Sequence, residues 1–142
     1  ARRIAADQFD DVGTGFRDTA VWETSDGVRA QWTPAGEGNM DWPAYVDRFA
    51  ALCPNVPFVL EIISQYGKDL PYLKNDFWKA FPKARAREFA RYVAFAKRGK
   101  ETAGFKVPDG QDKQEYTRQF EKDHLERSLR YCREKLGLGT KS

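Results

Sequence analysis

The sequence contains one histidine, one methionine and two cysteines among 142 residues. With His124 alone, the chain cannot supply a Ser-His-Asp triad, a histidine pair for acid–base work or a multi-histidine metal site. Cys53 and Cys132 lie far apart and form no CxxC spacing, which argues against a zinc site; both read as buried thiols, with one disulfide as the alternative. No apolar run approaches the roughly 20 residues that a membrane helix needs, and no charged-then-apolar signal segment opens the chain. The expectation is a soluble, cytoplasmic protein with no membrane partner. Met40 is the lone methionine, and the opening "ARRIAADQF" reads as the middle of a helix, so further sequence is expected upstream of Ala1. No internal repeat or low-complexity tract is present.

The composition is that of a folded domain. Apolar residues make up 41%, charged residues 32% and aromatics 14%, a balance that fits a globular chain and not a disordered one. A chain of this length buries roughly two thirds of its unfolded surface.

The stretch "DDVGTGFRD", Asp10 to Asp18, predicts a short strand in which glycines permit close backbone approach. Ser25-Asp26-Gly27 is a turn signal between segments rich in Val, Trp and Thr, so Thr19 to Pro34 predicts a hairpin. Asp41 is a good N-cap, Pro43 suits a first turn, and Trp42, Tyr45, Val46, Phe49 and Leu52 fall at three-and-four spacing. They predict an amphipathic helix from Asp41 to Cys53, ended by Pro54. "FVLEIIS" is an almost continuous apolar run, the pattern of a parallel strand buried on both faces. From Val12 to Ile63 the order is therefore that of a βαβ unit with a right-handed crossover.

Downstream the chain turns helical. Asn75 caps a segment through Phe81, Pro82 kinks it or starts a new helix, and Ala84 to Arg98 places Phe89, Tyr92, Val93 and Ala96 on one face before Gly99. "GKETAGFKVPDGQ" reads as a linker. The last helix, Asp112 to Leu136, is expected to carry Leu125, Leu129, Cys132 and Leu136 in one stripe, with Asp123–Arg127 and Glu126–Arg130 pairs on the wet side and Gly137 as its stop.

Two acidic residues stand out. Glu61 interrupts "FVLEII", where burying a carboxylate costs several kcal/mol unless it meets a metal, a cation or a proton. The plainer reading is a strand-end glutamate paired with an arginine such as Arg17. Glu37 sits between Gly36 and Gly38, just before a helix.

Together "GFRD", "PAGEGNMDW" and "FVLEI" resemble the last two strand–helix units of the xylose isomerase-like TIM barrels, the sugar phosphate isomerase/epimerase family. The resemblance spans Gly13 to Ser64. It implies an α/β fold, helix-rich overall, forming the carboxyl-terminal part of a (β/α)8 barrel in a single partial-barrel domain. Residues 1–11 would be the remnant of the preceding helix, 12–99 the last βα units, and 100–142 a linker and helical extension. It further implies Glu61 as the catalytic, metal-coordinating carboxylate of the last strand; Asp18, whose place in the family is the loop mouth, is read as a candidate substitute metal ligand. The ion would be Mn²⁺, Mg²⁺, Co²⁺ or Zn²⁺, acting on the oxygens of a sugar or sugar phosphate while carboxylates move a proton. Arg17, Arg29, Trp32 and Glu37 would line the substrate-binding mouth, with Glu37 hydrogen-bonding loop amides or a neighbouring basic side chain. Gly15 stands where the family carries a metal-binding histidine, so that ligand is absent, and the chain alone is expected to be weakly active or inactive.

Two other readings stand beside this one. Two parallel strands leave open edges, so the chain is also read as a non-catalytic barrel remnant that self-associates or pairs with another barrel part. Nucleic-acid binding is the third: nine Lys and Arg lie between Lys79 and Lys106 against Glu88 and Glu101, a local charge of +7. The whole chain is only +3 and the aromatics there fall at core spacing, which favours a solvated helix face over a nucleic-acid surface.

Overall fold

A computed structural model describes residues 14–16, 18–62 and 67–139. The chain is mixed α/β, in the order β1 (Thr14–Phe16), β2 (Asp18–Thr24), β3 (Gly27–Thr33), α1 (Trp42–Leu52), β4 (Phe58–Leu60), β5 (Gly67–Leu70), α2 (Asn75–Trp78), α3 (Ala86–Ala96) and α4 (Lys113–Leu136). The expected 1–11 helix and the side chain of Arg17 lie outside the described residues. No helix among the described residues is long and apolar enough to cross a membrane.

Strands β1 and β4 pair in parallel, with Thr14 opposite Phe58 and Phe16 opposite Leu60. Helix α1 lies between them in sequence and starts as its residues dictate: the Asp41 carboxylate accepts the Ala44 N–H at 3.1 Å, and Pro43 occupies the first turn, where no intrahelical donor is needed. Its buried residues are Trp42 and Phe49, and their rings meet Phe58 of β4 at centroid separations of 6.5 and 5.0 Å. Two expectations fail here. Leu52 is exposed and not part of the packed stripe, and β4 is a three-residue strand with Val59 49% exposed, not a strand buried on both faces. The cause is one-sided cover: α1 shields the Phe58 side, while Val59, of opposite pleat, faces away.

The expected hairpin forms. β2 and β3 pair antiparallel from Asp18 opposite Thr33 to Thr24 opposite Gly27, around a two-residue turn at Ser25-Asp26. A third strand, β5, pairs with β3 from Val28 opposite Leu70 to Gln31 opposite Gly67. Gly27 is required where the third strand leaves, because a Cβ there would run into Leu70 O and come within 2.8 Å of Tyr72 N. Helix α3 covers this sheet, placing Ala96 against Val21 and Val28 with Tyr92, Phe95, Leu70 and Tyr72 around them.

Helix α2 is shorter than expected and α3 begins at Ala86, with Pro82 in the turn between them. Helix α4 has the expected ends: Asp112 accepts the Glu115 N–H at 2.8 Å, and Gly137 takes the left-handed conformation at φ 64° while Leu138 N–H bonds back to Cys132 O at 2.9 Å. Its buried face, however, is His124, Ser128 and Cys132, while Leu125 and Leu129 are 39% and 38% exposed. The helix is turned by about one residue from the expected stripe, since the hydroxymethyl of Ser128 allows an approach that a leucine would block. The Asp123–Arg127 pair forms at 2.8 Å, and Glu126 pairs with Lys122 at 3.9 Å. Cys132 joins Ala35 and Trp42 in a second core cluster. Both cysteines are free thiols, but only Cys132 is buried, Cys53 being half-buried.

Candidate functional site: the glycine-flanked glutamate and the ends of the parallel strands

Strand β1 ends at Phe16 and Asp18 opens β2, so the Asp18 carboxylate sits just past the carboxyl end of the parallel pair. It is fully buried. One oxygen accepts the Thr19 N–H at 2.8 Å, and the other accepts the N–H groups of Gly36 and Gly38 at 2.9 and 3.0 Å. Burial pushes this carboxyl above the usual range, against the downward pull of the Trp42 indole and the three backbone donors.

These contacts account for both glycines. Gly36 has φ +88°, and a Cβ there would also strike the Tyr131 ring of α4. Gly38 needs its missing Cβ for another reason: the Asp18 carboxylate and Thr19 O occupy that space. The loop is pinned at its far end by Asn39, whose Oδ1 accepts the Val21 N–H at 3.1 Å and whose Nδ2 donates to Val21 O at 2.8 Å and Phe95 O at 3.2 Å. One side chain thereby ties the loop to β2 and α3.

With the glycines committed to the backbone, Glu37 points outward to α4. Arg127 Nε donates to Glu37 Oε1 at 2.9 Å, its Nη2 donates to Glu37 Oε2, and its Nη1 donates to Asp123 Oδ2 at 2.8 Å. The hydrogen bond to Glu37, ahead of all other influences, holds the guanidinium more firmly protonated than usual. One residue earlier, the Ala35 N–H donates to Ser128 Oγ at 3.0 Å, and that hydroxyl donates to His124 O at 2.7 Å. Burial, and then Arg127, depresses His124 below its ordinary value, while Asp123, Glu37 and Glu121 pull the other way.

The remaining candidate residues occupy separate surroundings. Glu61 follows the last residue of β4 and is half-buried, at the same end of the parallel pair as Asp18. Arg29 lies on β3 and donates through Nη1 to Asp69 Oδ1 of β5 at 2.9 Å, a cross-strand pair. Trp32 is half-buried on β3, opposite Thr19. Asp18 and Glu37 are joined through the loop, whereas Arg29 belongs to the antiparallel sheet and is tied to Asp69.

The donor chemistry bears on the implied metal. Among the described residues no group of three His, Cys, Asp or Glu side chains is placed to hold an ion, and the Asp18 oxygens accept two loop amides and the Thr19 N–H of β2. The described residues therefore do not fit a divalent ion without further ligands. Sequence reasoning missed Ser128, Arg127 and Asn39 as parts of this assembly. The available signal for Ser128 was a small polar residue midway along the inward face of a long helix. No protein-family profile, curated protein or solved structure matches this chain.

Proposed function

We propose that this chain is the carboxyl-terminal portion of a xylose isomerase-like (β/α)8 barrel whose complete form moves a proton between neighbouring carbons of a sugar or sugar phosphate. In this reading Glu61 is the carboxylate that takes and returns the proton. Asp18 and the Gly36-Glu37-Gly38 loop shape the mouth beside it. The observation that carries the proposal is the parallel pairing of β1 with β4 across the hairpin, loop and α1, with Glu61 one residue past the end of β4. Active groups of such barrels sit at the carboxyl ends of strands, where successive loops converge. A proton next to a carbonyl is acidic enough for a carboxylate to remove once its oxygen is polarised. Without a ligand set of its own for the polarising ion, the chain is expected to turn over slowly.

Mn²⁺-dependent epimerisation of ketoses tests this, read by product chromatography alongside the melting temperature with and without metal. Slow turnover abolished by Glu61→Gln supports the reading. The absence of both turnover and a metal-induced shift would end the catalytic claim.

A second reading, that of a partner-dependent barrel remnant, rests on the two-stranded parallel sheet and the exposure of Val59, Val56 and Leu52 beside it. Sedimentation velocity decides it: concentration-dependent association is expected, and a strict monomer at high concentration would count against it.

A further inference from the structure

The surface between α2 and α3 has no part in the mouth described above. Phe77, Trp78 and Phe81 from α2 and its following turn, Phe89 and Tyr92 from α3, and Tyr72 after β5 line an open groove of about 270 Å³. Its floor is built of edge-on ring contacts, Trp78 to Phe89 at 4.8 Å and Tyr72 to Phe89 at 4.9 Å. The one polar atom of the indole is turned inward, donating to Tyr72 O at 2.7 Å. What remains toward solvent is apolar, and Phe81 is 49% exposed. An apolar groove of large rings left open to water marks an interaction site more often than a structural accident.

Charge identifies the occupant. From Lys74 to Arg91 the chain carries six cations against two carboxylates, Asp76 and Glu88, a net +4. Lys74 pairs with Asp26, Lys79 with Asp76, and Arg85 with Glu88 only loosely at 3.8 Å. Lys83, Arg87 and Arg91 have no ion-pair partner among the described residues. A nucleobase would bring polar edges into walls that offer almost no donors or acceptors, at a cost of unpaired hydrogen-bonding groups. An aliphatic or aromatic side chain has no such need, and acidic residues flanking it would meet Arg85, which lines the groove and is held only loosely by Glu88.

We propose that this groove binds an acidic protein segment through one or two bulky apolar side chains, the mode in which an amphipathic helix docks into a hydrophobic groove. Titration of the whole chain, followed by tryptophan fluorescence, tests it with three probes: a synthetic helical peptide bearing Leu and Phe four residues apart among Asp and Glu, the same peptide with Lys for every acid, and an oligothymidylate. The acidic peptide should bind saturably and more weakly as salt rises, the lysine peptide should not bind, and Phe81→Ala and Arg85→Glu should each weaken binding about tenfold or more. Both side chains are exposed, and unchanged circular dichroism keeps a loss of binding from being read as unfolding. Failure of the acidic peptide to bind, equal binding of the two peptides, or indifference to both substitutions would overturn the proposal. So would oligothymidylate binding lost in Arg85→Glu, which assigns the surface to nucleic acid, or a dimer dispersed by Phe81→Ala, which assigns it to a second copy.

Discussion

Asp18 is the residue on which the loop depends. Replacing it by Ala takes the acceptor from the part-buried N–H groups of Gly36, Gly38 and Thr19, and a hydrogen bond to a charged group is worth about 1.5–3 kcal/mol, so a loss above about 2 kcal/mol is expected in urea unfolding. Asp18→Asn sets an amide N–H₂ against one or more of those donors and should recover little. Gly38→Ala should destabilise comparably, because the new methyl falls on the Asp18 carboxylate.

The pH dependence has two limbs of opposite sign. Asp18 binds its proton more tightly folded than unfolded, so its contribution is fully present below its ordinary value near 3.8 and is lost as pH rises through the raised folded value. His124 binds its proton less tightly folded, so its contribution is present above 6.5 and is lost as pH falls through 6.5 toward its depressed folded value. Between pH 6.5 and 4 the two limbs oppose each other, so urea midpoints measured from pH 4 to 8 should fall more steeply below pH 6.5 in the native chain than in a variant without the His124 limb. His124→Gln is that variant, and an unchanged slope would contradict the assignment. At this scale little was legible in advance. The glycines on either side of Glu37 announced an unusual backbone, but not that a buried carboxylate eighteen residues earlier required it.

Among the elements, α4 acts as a clasp on the loop. Ser128→Ala removes the acceptor for the buried Ala35 N–H and should cost about 1–3 kcal/mol, with faster hydrogen exchange at the Ala35 amide. Arg127→Ala removes an ion pair between half-exposed groups and should cost no more than about 1 kcal/mol. The order of these two effects matters more than either value, since a larger loss for Arg127 would place the clasp in the charges and not in the buried hydroxyl. The ends of α1 and α4 were legible because caps are local chemistry: Asp41, Pro43, Asp112 and Gly137 act within one turn of themselves. The rotation of α4 was not legible, because three-and-four spacing allows two adjacent faces and only the approach of Ala35 to Ser128 selects between them. Strand β5 was missed for a related reason. "GKDL" has no β-branched residue, and its pairing is imposed by β3 alongside it.

On the scale of the whole molecule, the parallel pair and the hairpin followed from order and turn chemistry, both readable along the chain. The reading of the mouth rests on a resemblance over about fifty residues, and on the placement of Glu61 and Asp18 at one end of β1 and β4. Arg29 illustrates the limit of such transfer, since the cross-strand pair with Asp69 ties it to the antiparallel sheet. The central claim is that Glu61 exchanges a proton with a carbon beside a carbonyl. Deuterium wash-in reads that step even where net turnover is slow. With a ketose and Mn²⁺ in deuterated water, proton NMR should show slow loss of the signal from the carbon next to the carbonyl with the native chain and none above background with Glu61→Gln; equal exchange in the two, or none in either, would contradict the account.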